Sequence, residues 1–371
     1  MKVAVVYDRV NKIGGAEHVL KNIHSIWPKA PIFTSVYNKK TAPWADGIKV
    51  IPSFIQKIPF SKTNHEWFFW AMPFAFETFT FDDFDVVISV SSAQAKAAVT
   101  KPNTLHISYL LTPTKYLYSH KKLHLEKNPL GKVGELILKN IWKHEERWDQ
   151  IVVRRPDKIV TISETVDKRV KKYYKINSDE IIHPPVDTNK FSEKSLFIPE
   201  QKNYYLVVSR LVPSKRINLA IKAFNKLNKT LIVVGSGREK KNLKKIAHKN
   251  IHFVGQVSDQ ELVGYYQNCK AVIFPQEEDF GIVAVEALAS GKPVVAYKKG
   301  GASEIIQHKK HGLLFDRQTP SHIMKVIQSN TNVKFNQHAL KEKAKEFDSS
   351  VFKTKFKQYV EEEWKTHKKI I

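Results

Sequence analysis

Short apolar runs recur along the chain, each followed by a turn and then by a stretch with helical spacing. KVAVVYD (Lys2–Asp8) is the first run. A loop with Gly14-Gly15 follows it, then AEHVLKNIHSIW, whose apolar positions fall on one helical face. APIFTSVY and IKVIPS read as the second and third strands. FDVVISVSS (Phe84–Ser92) reads as a fourth, followed by AQAKAAV as a short helix, and LHISYLLTP (Leu105–Pro113) as a fifth ending in a Thr-Pro turn. Lys121–Arg155 reads as largely helical. DKIVTIS (Asp157–Ser163) is a sixth strand, ETVDKRVKKYY a helix, and EIIHPPVD (Glu180–Asp187) closes the first half. His183-Pro184-Pro185 is stiff and extended, because proline fixes its own φ and restricts the residue before it.

The second half restarts the same alternation. NYYLVVSR (Asn203–Arg210), KTLIVVGSG (Lys229–Gly237), IHFVGQV and AVIFP (Ala271–Pro275) read as strands, separated by the helical stretches RINLAIKAFNKL, REKKNLKKIAHK and DQELVGYYQNC. PQEEDFGIVAVEALASGKPVVAY (Pro275–Tyr297) is then a strand end, an acidic loop, a helix and a strand. IVAVEALAS is apolar almost all round, which predicts a buried helix, and Gly291 and Pro293 stop it. Asn336–Ile371 reads as helical. Strands alternating with helices imply parallel sheets. The expected fold is α/β: two Rossmann-like domains facing an interdomain cleft, over residues 1–195 and 196–345, with 346–371 a helix returning to the first domain.

Size and charge narrow the picture. At 371 residues the chain accommodates two ordinary domains. Cys269, the one cysteine, excludes an internal disulfide and a cysteine-based metal site. A formal charge of +25 calls for anionic partners: nucleic acid, an anionic membrane or acidic substrates. The basic residues are spread through Lys121–Lys175, Lys202–Lys249 and the C-terminus, with no nucleic-acid-binding signature among them. The N-terminus reads as a strand and not a signal peptide, and no segment is long and apolar enough to span a bilayer. WFFWAMPFAF (Trp67–Phe76) reads as packing or as a bilayer-interface patch. Asp82, Asp83 and Asp85 have a metal-site look, but Asp85 leads straight into a strand, where turn and cap roles fit.

Ligands of open parallel sheets sit at the C-terminal strand ends. In the second half that rule gathers Ser209-Arg210 with Lys215, the glycine turn Gly235-Ser236-Gly237, Gly255-Gln256-Val257, and the loop Glu278–Ile282. Two cations, two glycine turns and a helix N-terminus describe a diphosphate site. The N–H groups of Phe280, Gly281 and Ile282 suit a phosphate. Glu286, inside an apolar helix, needs a partner, which ligand hydroxyls or a lysine would supply. Glu278 either caps the helix or faces what the phosphate carries. Gly14 and Gly15 let the first-half loop approach a ligand closely, although GGAE is not the dinucleotide fingerprint.

The spacing Glu278-x7-Glu286, preceded by the Arg210 and Lys215 of SRLVPSKR, resembles the retaining GT-B glycosyltransferases of family GT4. ISETVDKRVKKYY, IIHPPVDTNKF and EDFGIVAVEALASGKPVVAYKKGGASEII resemble the branch with GDP-mannose-dependent mannosyltransferases. The single cysteine fits a reducing, cytoplasmic compartment, and the basic helices of Lys121–Lys175 with Trp67–Phe76 read either as holding the enzyme peripherally on the anionic inner face of the plasma membrane or as a solvated basic surface. The resemblance implies an enzyme that would move a hexose, mannose from GDP-mannose, to a glycan or lipid-linked acceptor in cell-surface polysaccharide synthesis. It implies no cofactor and no metal, with the nucleotide diphosphate sugar as donor, and no nucleic-acid partner. Arg210 and Lys215 would hold the diphosphate, helped by the Phe280, Gly281 and Ile282 amides and the turn at Gly235 and Gly237. Glu286 would bind ribose hydroxyls, Glu278 the donor sugar and Gln256-Val257 the base; Gly14 and Gly15 would approach phosphates and acceptor. One departure is Leu111, where that branch is expected to carry a histidine before the Thr-Pro turn. The alternatives are a sugar-nucleotide epimerase of the same fold and a non-catalytic sugar-nucleotide-binding member.

Overall fold

A computed structural model describes residues 1–63, 68, 71–119 and 131–370, with backbone only for 131–139. The chain divides into two units, Met1–His183 with Lys353–Ile371, and Pro184–Phe352. Trp67, Phe69 and Trp70 of the aromatic run, and residues 120–130 of the basic stretch, lie outside the described residues.

The first unit holds one parallel sheet. Its strands are β1 (Val3–Tyr7), β2 (Ile32–Thr34), β3 (Val50–Pro52), β4 (Val86–Ser91), β5 (Leu105–Leu110), β6 (Lys158–Thr161) and β7 (Glu180–Ile181), in the order β3-β2-β1-β4-β5-β6-β7. Every residue of β1, β4 and β5 is buried, as expected of strands covered on both faces. The first unit's helices before residue 184, among the described residues, are α1 (Gly15–Ile26), α2 (Met72–Glu77), α3 (Gly131–Val152) and α4 (Glu164–Tyr174). Helix α4 starts on Ser163, whose hydroxyl accepts from the N–H of Val166 at 3.1 Å.

AQAKAAV does not form the expected short helix; only Ala95–Ala97 turns, as a single 3-10 turn. Two side chains account for this. Asp8, at the end of β1, accepts from the N–H of Ser92 (2.7 Å), the Ser92 hydroxyl (2.9 Å) and the N–H of Ala95 (2.8 Å). Lys96 is drawn inside, where its Nζ lies 2.6 Å from Asp149 Oδ1. The acids before β4 serve the backbone and a neighbour: Asp85 accepts from the N–H of Lys2 (2.6 Å), and Asp82 pairs with Lys101 (2.6 Å).

The second unit holds the second parallel sheet: β8 (Tyr205–Val208), β9 (Leu231–Val234), β10 (Ile251–Gly255), β11 (Val272–Phe274), β12 (Val294–Tyr297) and β13 (Gly312–Phe315), in the order β10-β9-β8-β11-β12-β13. Strand β13 has no counterpart among the expected strands. It pairs along its length with β12, Val294 opposite Gly312 through Tyr297 opposite Phe315. The helices are α5 (Thr188–Ser192), α6 (Ile217–Leu227), α7 (Lys240–Ile246), α8 (Asp259–Asn268), α9 (Ile282–Ala289), α10 (Ala302–Ile305), α11 (Pro320–Gln328) and α12 (Gln337–Lys345). Val207, Ile221, Phe224, Val233, Val295, Leu313 and Ile323 share one core. Each such side chain contributes about 1.5–3 kcal/mol by leaving water.

The units change over at Pro184, ahead of the expected boundary at 195/196. The bonds of the following segment explain this. Val186 N–H donates to Phe347 O (3.0 Å), the Thr188 hydroxyl to Asp348 (2.5 Å), and Gln267 Nε2 to Phe191 O (3.1 Å). The last helix, α13 (Ser349–Ile370), is grouped with the first unit from Lys353 onward. There Phe356 packs edge-on against Tyr109 (5.2 Å) and Trp27 (6.2 Å), and Glu363 pairs with Lys158 (3.2 Å).

Candidate active site

In the second sheet the strand order reverses between β8 and β11, and such switch points are where open parallel sheets bind ligands. Strand β8 runs out into Ser209-Arg210-Leu211 and a 3-10 turn, Pro213–Lys215, that leads into α6. Strand β11 runs out into Pro275 and the acidic loop. Lys215 and Glu278, one from each loop, meet there. Lys215 Nζ donates to Glu278 Oε1, and Gln276 Nε2 lies 3.4 Å from the same oxygen. Both charged side chains are about four-fifths withdrawn from solvent, 19% and 20% exposed.

Three strand-end loops are laced together beside this pair. Ser209 N–H donates to Val234 O (3.0 Å), Leu211 N–H to Ser236 O (2.8 Å) and Gly235 N–H to Gly255 O (2.6 Å). A Cβ on Gly235 would stand 2.0 Å from Ser209 O, and one on Gly237 would stand 2.4 Å from Leu211 O. Only glycine permits that approach. Arg210 is exposed at the edge of this backbone shelf. Among the described residues it has no carboxylate partner. Gln256 is exposed and Val257 half-buried in the loop after β10.

Helix α9 begins at Ile282 with Gly281 as its N-cap (φ 114°), and no side chain caps it. Glu278 therefore does not act as a capping acid; it is turned to Lys215 instead. The first N–H groups of the helix have no partner inside it and carry its positive dipole end. The loop is braced from behind by Gly301, whose N–H donates to Glu278 O at 2.9 Å, and by Phe280, buried edge-on to Phe347 at 5.4 Å.

Glu286, on the second turn of α9, pairs with no lysine among the described residues. Its Oε2 accepts from the Tyr266 hydroxyl at 2.6 Å. Desolvation raises the Glu286 carboxyl above the usual carboxylate range, and the Tyr266 hydrogen bond works against that rise. Tyr266 itself, fully buried, is pushed well above the ordinary phenol value by desolvation first and the Glu286 charge second.

Gly14 and Gly15 belong to the first unit, at the start of α1. Gly14 is the extended N-cap, and a Cβ there would lie 3.1 Å from Glu17 Oε2. The other expected site residues lie in the second unit at the strand ends and on α9, with Lys215 and Glu278 in direct contact. Sequence reasoning missed three contributors. Tyr266 reads as one more aromatic on an amphipathic helix. Gly300 and Gly301 lie behind the acidic loop, where a Cβ would reach 2.7 Å from Glu278 O and 2.2 Å from Phe280 O respectively. The paired glycines of KKGG were the available signal.

The family model described as glycosyl transferases group 1 matches residues 188–347, nearly the whole second unit. This part of the chain is similar to the group 1 glycosyltransferases. A glycosyltransferase of Methanocaldococcus jannaschii is 28% identical over 217 residues, 57% of this chain and 60% of that protein. The GDP-mannose-dependent alpha-(1-6)-phosphatidylinositol monomannoside mannosyltransferase of Mycobacterium tuberculosis is 29% identical over 174 residues, 40% of this chain and 45% of that protein. The chain thus spans about half the length of the curated relatives it matches. Over nearly the full length the two-sheet architecture is that of GT-B glycosyltransferase structures. HepE of Anabaena, solved in complex with UDP, superposes with a TM-score of 0.72 at 18% identity over 98% of this chain and 100% of that one. The sucrose-phosphate synthase of Thermosynechococcus elongatus gives 0.75 at 15% identity over 99% and 100%.

Proposed function

We propose that the chain is a retaining, metal-independent glycosyltransferase. It moves a hexose, mannose from GDP-mannose, onto a glycan or lipid-linked acceptor in cell-surface polysaccharide synthesis. The observation that carries this reading is the Lys215–Glu278 pair at the switch point, between the glycine-laced shelf and the uncapped start of α9. Arg210 and Lys215 hold the donor diphosphate. The Phe280, Gly281 and Ile282 amides receive its oxygens, with the backbone at Gly235 and Gly237 behind them. Glu286 accepts from ribose hydroxyls, Glu278 addresses the sugar, and Gln256-Val257 lies toward the base. Gly14 and Gly15 serve the phosphates and acceptor from the first unit.

In the reaction the anomeric carbon–phosphate oxygen bond breaks and a bond to the acceptor hydroxyl oxygen forms on the same face. The acceptor proton passes to the departing phosphate oxygen. Negative charge grows on the diphosphate, where fixed cations and amides favour it; removing one such donor costs on the order of 10²–10³ in rate. The GDP-mannose assignment is supported by the mycobacterial relative named above. HepE's complex with UDP favours a second reading, a uridine donor, on the same site. The high positive charge supports a cytoplasmic enzyme held on the anionic inner face of the plasma membrane. Among the described residues no helix is long and apolar enough to cross it.

A thermal-shift screen with GDP-, UDP- and ADP-sugars tests the donor. A ligand at 100 times its Kd stabilises by about 2.7 kcal/mol. Product analysis of the stabilising donor, with and without acceptor glycans, then separates transfer from epimerisation. No stabilisation by any nucleotide sugar would sink the proposal, and tight binding with neither transfer nor hydrolysis would leave a non-catalytic binding protein.

A further inference from the structure

Glu286 is held by a side chain that comes from a different helix. Tyr266, on α8, is fully buried, and its ring stands edge-on to Phe191 of α5, with centroids 5.4 Å apart. Helix α8 is itself fixed at its start by a capping box, in which Ser258 and Glu261 each bond the other's backbone. The phenol thus arrives at Glu286 on a rigid support, with one O–H to donate, and donates it at 2.6 Å. Among the described residues no other side chain donates a hydrogen bond to this carboxylate. The charged groups facing it are Lys190 of α5 and Asp259 of α8, which pair with each other at 2.7 Å and so largely cancel at Glu286.

We infer that Tyr266 is a positioning residue for the donor's ribose: it fixes the Glu286 carboxylate in one rotamer, one oxygen occupied and the other left for a ribose hydroxyl. The inference rests on the reading that Glu286 meets the ribose, and it adds the group that makes Glu286 competent to do so. A carboxylate in an apolar helix without its one donor has two escapes. It takes up a proton, which turns an acceptor of ribose O–H groups into a poorer one, or it swings toward solvent. Either escape weakens recognition of the 2′ and 3′ hydroxyls and leaves the base and diphosphate contacts untouched.

The test is Tyr266→Phe, which keeps the ring against Phe191 and removes only the hydroxyl. Binding of GDP and UDP is measured by calorimetry beside their 2′,3′-dideoxy counterparts. The expected result is about tenfold weaker binding of the ribonucleotide that the wild type prefers, the scale of one hydrogen bond to a charged group, with dideoxynucleotide affinity unchanged. The acid limb of ribonucleotide binding moves to higher pH, because Glu286 without its donor protonates earlier. Equal losses for ribo and dideoxy ligands would show general damage and overturn the inference, as would no loss for either. If the wild type binds no nucleotide, the donor reading fails, and a ¹³C titration of the Glu286 carboxyl still decides the present one. There the variant's midpoint rises, and an unmoved midpoint refutes the positioning role.

Discussion

Replacing Lys215 with alanine removes one charge and uncovers another. In the wild type the Lys215 ammonium and Glu278 carboxylate face each other, each about one-fifth exposed. At that degree of burial two unit charges about 4 Å apart interact by about 4 kcal/mol at an effective dielectric of 20. Desolvation and side-chain ordering consume most of this, so the pair's net stability is about 1 kcal/mol or less. The variant should therefore fold, with a thermal midpoint within a few degrees of the wild type. Ligand binding is another matter. A diphosphate loses its attraction to Lys215 and gains the bare negative charge of Glu278, two effects of the same sign. We expect affinity for the nucleoside diphosphate to fall about 10²-fold and turnover by on the order of 10²–10³. Adding Glu278→Gln to the same chain removes the repulsion but not the missing attraction. The double variant should recover about tenfold of the binding and none of the turnover. Calorimetry with the diphosphate at two salt concentrations, and initial rates with the preferred donor, measure both. A Lys215→Ala protein that binds like the wild type, or a double variant that binds no better than the single one, would refute the argument.

Gly301→Ala places a Cβ 2.2 Å from Phe280 O, so the Glu277–Phe280 loop must shift. Since a misplacement of about 1 Å can cost about 10² in rate, turnover should drop by at least tenfold with the fold retained, as read by initial rates and far-UV circular dichroism. Lys96→Met strands Asp149 in the interior of the first unit; breaking a buried pair in this way costs about 3–5 kcal/mol. Adding Asp149→Leu should not restore the thermal midpoint, because the hydroxyls of Thr114, Tyr118 and Tyr174 lose their common acceptor; full recovery would contradict this network. Burial pushes the Glu145 carboxyl up to about 7, with Tyr116 donating to it and Asp149 nearby. A folded-state value above the unfolded one means that stability falls as pH rises from about 4.5 through about 7. Glu145→Gln should therefore gain on the wild type in thermal midpoint between pH 5 and pH 8, and parallel pH profiles would count against the assignment.

The strands were legible because a sheet covered on both faces needs uninterrupted apolar runs, and those runs end in glycines or polar turns. VAVVY, VVISVS and LIVV stand out for that reason. Strand β13 did not, since Gly312–Phe315 is four residues with a glycine first, behind a lysine- and histidine-rich turn. The Ala95–Ala97 segment misled because helical propensity is local, whereas Asp8 and Asp149 act on it from elsewhere in the fold. At the site, cations, glycines and acids were readable from spacing, because strand-end loops bring them to one edge. What spacing could not reveal is which partner each takes in the folded chain. The choice between Glu278 capping α9 and Glu278 pairing with Lys215 depends on where the β8 loop lies, and Tyr266 shows its role only when α8 is laid beside α9.

The direction of the Lys215–Glu278 pair has a consequence for the proposed chemistry. As a glycosyl–phosphate bond breaks, positive charge grows on the sugar ring and negative charge on the diphosphate. In the proposed binding mode the ammonium stands at the phosphate end of that bond and the carboxylate at the sugar end. The pair is then a fixed dipole opposed to the charge separation of the transition state, and it interacts more strongly with that state than with the donor before cleavage. Interactions of this differential kind are the ones that raise rate and not merely binding. The surroundings help to keep the dipole from turning. Glu278's own backbone is tied to Gly301, Gln276 lies against the carboxylate, and the lysine sits on a 3-10 turn whose next residue, Arg216, is locked in a left-handed conformation at φ 52°. A dipole held so before ligand arrives needs little reorganisation when the charges develop. That gives a physical reason for a close ion pair at the switch point, where either charge alone would bind one end of the donor and repel or ignore the other.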